Sequence, residues 1–175
     1  MRLLLWLLLA SVLFGYDQNR LMMNAKIFSK ILMLERDLES KASVDQKIDI
    51  LLFYDEAEQQ DALRLQRFLE LSAAEAFPYP VRVEIIPYDA FKKNSADAYF
   101  LLEAQNKDVV RAVAAHAIAE GIVSFAYNYT YLGEGVMLSL RVDQKVYPLI
   151  NPDALKQSKI SFQPILIRIA KQYVP

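Results

Sequence analysis

Four short apolar runs constrain this chain more than any other feature of its sequence. They are Ile48 to Tyr54 (IDILLFY), Val81 to Ile85 (VRVEI), Ala98 to Leu102 (AYFLL) and Ile122 to Phe125 (IVSF), each opened by a charged, proline or glycine residue. Runs this short are too brief for buried helices and fit strands buried in a sheet. The second alternates Val81, Val83 and Ile85 with Arg82 and Glu84, the period of a half-buried strand. Helical patterns separate them. Asp55 stands where an N-cap belongs, Glu56 and Glu58 suit the positive end of a helix dipole, and a helix to about Ser72 buries Ala62, Leu65, Phe68 and Leu69. A second helix, Asn106 to Glu120, carries Val109, Val113 and Ala117 on one side and stops at Gly121. Strand–helix–strand order implies right-handed parallel crossovers.

The flanks complete the plan. Between Asp17 and Glu35, Leu21, Ala25, Phe28 and Leu32 form one apolar helical stripe, followed by a polar loop from Arg36 to Lys47. After the parallel part, Val136 to Val142 and Lys145 to Ile150 read as a hairpin joined by Asp143-Gln144. A short helix from Asn151 to Ser158 and a last helix from about Pro164 to Tyr173 end the chain. The expected fold is a three-layer α/β/α sandwich around one mixed, mainly parallel sheet with a C-terminal antiparallel hairpin.

Residues 1–15, MRLLLWLLLASVLFG, have the layout of a secretory signal peptide: Arg2, an apolar stretch too short to span a bilayer comfortably, then a small residue. The expectation is therefore export to the periplasm, with no transmembrane segment in the mature chain and a single domain over residues 16–175. The chain of 175 residues contains no cysteine and one histidine. Thiol catalysis, iron–sulfur ligation and multi-histidine metal sites are excluded. A net charge of −1 argues against a general nucleic-acid binder. Residues 141–175 nevertheless carry a net +4 against −5 for residues 1–140, which suits either solvated helix faces or an acidic partner.

Few residues offer chemistry. His116 lies late in the 106–120 helix without a nucleophile motif, so a structural or surface role outranks a catalytic one. Asp55, Glu56 and Glu58 are explained as helix-start carboxylates before they are acid–base candidates. Gly133-Glu134-Gly135 lacks the third glycine and the following helix of a dinucleotide loop, and reads as a turn into the hairpin. Just ahead of it, Tyr127, Tyr129 and Tyr131 alternate, and an extended segment would place them on one face. This loop, with Gly133 and Gly135, follows a strand of the parallel part, where α/β sheets bind ligands. It is the candidate ligand loop, against the plainer reading of half-buried strand tyrosines. No cofactor or metal ligand set is expected, and the chain reads as non-enzymatic.

The tail runs Ile150-Asn151-Pro152-Asp153-Ala154-Leu155-Lys156, then Phe162, then Leu166-Ile167-Arg168-Ile169-Ala170. Together with Gly133 to Leu138, Asp97-Ala98-Tyr99-Phe100-Leu101, and an opening segment holding Ala25-Lys26-Ile27-Phe28 and Leu34-Glu35-Arg36-Asp37-Leu38, it resembles the YfiR-like family of small periplasmic proteins. The chain departs from that pattern at Lys159, where the family usually has glycine, and at Gln163 and Pro164, where it has paired serines. The resemblance implies a regulatory protein, often dimeric, that holds an inner-membrane sensor protein such as a diguanylate cyclase inactive; other members are associated with sensor kinases. Leu166, Arg168 and Ile169 are the candidate partner-binding residues. The alternative is a periplasmic small-ligand-binding protein using the Tyr127–Tyr131 loop.

Overall fold

The computed structural model describes residues 18–38, 40 and 47–174. The signal-peptide segment, and most of the loop expected before residue 47, lie outside them. Seven strands form one sheet: β1 (Ile48–Tyr54), β2 (Val81–Pro87), β3 (Ala98–Leu101), β4 (Val123–Ala126), β5 (Leu138–Val142), β6 (Val146–Ile150) and β7 (Lys171–Gln172). Their spatial order is β2-β1-β3-β4-β5-β6-β7. All neighbours are parallel except β5 and β6, the expected hairpin. The helices are α1 (residues 18–32), α2 (Gln59–Ala76), α3 (Lys107–Glu120), α4 (Pro152–Ser158) and α5 (Pro164–Ile169).

The strand order reverses between β1 and β3, so the right-handed crossover rule sends α2 and α3 to opposite faces. Phe28 of α1 lies against Phe100 and Phe125, ring centroids 5.3 and 5.2 Å away. Burying such a ring contributes about 2–3 kcal/mol. The whole predicted stripe of α1, Leu21, Ala25, Phe28 and Leu32, is buried. On the other face Phe53 meets Tyr99 edge-on at 5.0 Å, and His116 sits between Phe91 and Tyr99. The histidine is a packed aromatic here; its Nε2 is buried with no hydrogen-bond partner among the described residues.

Several boundaries differ from expectation for local reasons. Asp55 does cap, accepting from the Glu56 N–H at 3.0 Å, but it caps a 3-10 turn (Glu56–Glu58) that leads into α2. In α3 the buried stripe is Val110, Val113, Ala114 and Ala117, with Val109 only half-buried; Asn106 caps one end and Gly121, at φ +67°, the other. The hairpin turn has three residues, because Val142 pairs with Val146, and β5 starts at Leu138. The last helix stops at Ile169. Residues 171–172 then pair with Leu149 and Ile150 and add an edge strand that sequence periodicity concealed. At the other edge, Gln66 Nε2 of α2 donates to the Val83 carbonyl at 2.7 Å.

Candidate functional site

In an open parallel sheet, ligands bind outside the carboxyl ends of the strands where the strand order reverses. Here that point lies between β1 and β3, and the segments leaving β1, β3 and β4 meet there. Asp55, just after β1, accepts the Gln105 N–H on Oδ2 at 2.8 Å and so ties the first loop to the third. Glu103, two residues after β3, is held by Asn128, which follows β4. The Asn128 Nδ2 donates to both carboxylate oxygens at 3.1 and 3.0 Å. Asn128 Oδ1 meanwhile caps a 3-10 helix (Tyr129–Glu134) by accepting the Thr130 N–H at 3.0 Å.

Tyr131 lies beneath this loop, 2 % exposed. Its hydroxyl accepts the Ala104 N–H at 2.8 Å and shares its own proton between Glu103 Oε2 and the Ala104 carbonyl, each 3.3 Å away. Burial, reinforced by the nearby Glu103 carboxylate, pushes this hydroxyl up to about 12, so it stays a donor at neutral pH. Tyr88, buried close by, donates to the Leu102 carbonyl at 2.8 Å and is pushed well above the ordinary phenol range, chiefly by burial.

Above these groups opens a hollow of about 280 Å³, lined by Arg20, Glu58, Asp61, Leu102, Glu103 and Tyr127. The Arg20 guanidinium lies over the Tyr127 ring, 4.5 Å from its centroid. The arrangement offers fixed carboxylates, one cation and an aromatic face, which are tools of recognition.

The candidate ligand loop is only partly where sequence put it. The segment is not extended: a 3-10 helix replaces the expected alternation, so the three tyrosines do not share a face. Tyr127 reaches the hollow and Tyr131 supports it from below. Tyr129 instead meets Arg141 of β5, whose guanidinium lies 5.4 Å from its ring centroid. Gly135 turns the chain at φ +99° into β5, and Gly133 lies against Tyr173, whose hydroxyl would be 3.1 Å from a Cβ placed there. Glu134 between them pairs with Arg111 at 2.7 Å and Lys107 at 3.3 Å, pinning the loop to α3. The hydrogen bond from Arg111 holds its carboxyl below the usual range. Sequence reading missed Arg20, Asp61 and Glu103. Glu103 had a signal, since it follows the apolar run 98–102 at the carboxyl end of a strand.

The candidate partner surface also divides. Leu166 is 0 % exposed and belongs to the core, which removes it from any docking face. Arg168 and Ile169 are exposed, and with Ile165 and Ile167 they leave α5 with three isoleucines 40–52 % open to solvent. No helix among the described residues is long and apolar enough to cross a membrane.

The elements define a doubly wound α/β domain with its open crevice at the switch point. No family model and no curated protein sequence matches the chain. Among solved structures it is similar to an ABC domain from Streptococcus pneumoniae in complex with L-Trp, with TM-score 0.63 and 11% identity over 86% of this chain. It is also similar to a conserved domain protein from Vibrio cholerae, with TM-score 0.55 and 16% identity over 77% of this chain. The chain spans 60% and 59% of the length of those two proteins. At such identities the likeness establishes the α/β fold.

Proposed function

We propose that this protein is an exported, non-enzymatic small-ligand-binding domain that takes its ligand in the crevice between α1 and the ends of β1, β3 and β4. The observation that carries this reading is the hollow at the switch point, with lining residues drawn from α1, the β1–α2 region and the segments after β3 and β4. The Streptococcus pneumoniae domain of similar fold, which holds L-Trp, supports it. A ligand there would touch α1 and the strand ends together and favour the conformation in which they are joined. The test is a thermal-shift screen of the purified protein with amino acids, amines, organic acids and sugars. A ligand at one hundred times its Kd adds about 2.7 kcal/mol, or about 5–11 °C for a chain of this size. A panel without any shift above 1 °C would refute the reading.

A second reading is favoured by a different observation, the three exposed isoleucines of α5 beside Arg168 and Lys171. In it the protein is a periplasmic regulator that docks this face on an inner-membrane sensor protein, a diguanylate cyclase or a sensor kinase, as the YfiR-like resemblance implies. In-cell crosslinking from position 165, on the same exposed helix, tests it. Capture of such a protein, lost on Arg168→Glu, supports docking; capture unaffected by that change refutes this face.

A further inference from the structure

Resting on the crevice reading, we propose that the ligand is a small organic cation bearing an ammonium or guanidinium group, and that Arg20 occupies its place as a tethered stand-in. Three observations converge. First, the hollow is lined by the carboxylates of Glu58, Asp61 and Glu103, with Arg20 as the cation of its lining and Arg64 paired to Asp61 from outside it. Such a wall attracts positive charge and repels anions. Second, a cation already sits there, because the Arg20 guanidinium rests on the face of Tyr127 at 4.5 Å, the geometry in which an aromatic ring attracts positive charge. Third, the arginine fits this place imperfectly. Its Nε is buried and has no hydrogen-bond partner among the described residues. A desolvated donor left without an acceptor is destabilising.

Glu103 is prepared for a better donor. Asn128 and Tyr131 fix its carboxylate, yet among the described residues Oε1 receives only the one bond from Asn128 and retains acceptor capacity. Asp61 is shared with Arg64 at 3.1 Å and Glu58 has an interaction of its own, so Glu103, fixed by Asn128 and Tyr131, is the principal contact. An incoming ammonium or guanidinium can donate to Glu103 and lie on Tyr127 together, which the tether of Arg20 does not achieve. The volume, about 280 Å³, suits a metabolite-sized amine rather than a peptide.

The probe is agmatine, which carries one group of each kind, with glutarate as an anionic control of similar length, both measured by isothermal titration calorimetry. Agmatine is expected to bind and glutarate not. Glu103→Gln and Tyr127→Leu should each weaken agmatine at least tenfold. Arg20→Ala should strengthen it several-fold by removing the internal competitor, with Arg20→Met as the variant that keeps the packed stem; both are checked for native unfolding temperature. Loss of binding in both Arg20 variants, or tighter binding of glutarate, would overturn the proposal. If another compound of the panel binds in the crevice and agmatine does not, the cation assignment fails while the ligand-binding reading stands. If no compound of any charge binds, both fail.

Discussion

Tyr131→Phe removes one oxygen and leaves the ring packing intact, so its effect isolates a single polar junction. The Ala104 N–H loses its acceptor at 2.8 Å, and Glu103 loses an O–H donor at 3.3 Å. An N–H stranded without an acceptor costs about 1–3 kcal/mol, and the longer bond to the carboxylate adds only a fraction of that. The expected loss is about 2 kcal/mol. For a domain of this length each kcal/mol moves Tm by about 2–4 °C, so the variant should melt about 4–8 °C lower. Urea unfolding followed by circular dichroism should show a lower midpoint with an unchanged slope, because the surface exposed on unfolding is the same. The crevice should suffer as well, since Glu103 would keep Asn128 but lose its anchor from below. A midpoint within error of the parent protein would refute the reasoning, because it would mean the hydroxyl does not hold the two loops together.

Leu166→Ala should cost about 2–5 kcal/mol by emptying a fully buried site, whereas Ile167→Ser should change stability by less than about 0.5 kcal/mol; urea midpoints of both test the division of α5 into core and surface. Gly135→Ala has room, with Ala114 Cβ 3.6 Å from the added carbon, yet should lose about 1–2 kcal/mol because φ is +99°. Lys159 ends α4 at φ +62°, so Lys159→Gly should raise stability by about 1 kcal/mol, read from the same curves. Tyr99 and Tyr131 are both pushed up to about 12, mainly by burial. A folded-state pKa above the unfolded value of 10 means that the stabilisation is complete below pH 10 and is lost as pH rises towards 12. Ring resonances followed by NMR through an alkaline titration should show Tyr99 and Tyr131 ionising only as structure is lost; ionisation of either ring near pH 10 in an intact fold would refute it.

The sheet was legible because the strands of a parallel sheet are buried on both faces, and continuous apolar runs such as IDILLFY leave few alternatives. Helix ends were legible wherever a side chain or a backbone angle decides them, as at Asn106, Gly121 and Asn151. The strand β7 was hidden because two exposed residues, Lys171 and Gln172, carry no apolar signal; only the Tyr173 N–H bonding to the Ile150 carbonyl at 2.7 Å and the strand register reveal it. The tyrosine loop misled because alternation signifies strand only when the backbone is extended. Asn128 captures the Thr130 N–H and turns the segment into a 3-10 helix instead. The crevice was half legible: its place follows from topology, but the approach of Arg20 to Tyr127 is a tertiary fact with no local trace.

Phe28 wedged against Phe100 and Phe125 carries a temporal consequence. Of the described helices α1 comes first in the chain, and Phe28 meets these two rings only once β3 and β4 have been made. Until then the Phe28 ring lacks the two rings that pack against it. Full docking of α1 is therefore a late event in folding. The wall of the crevice that α1 supplies is thus the one that closes last.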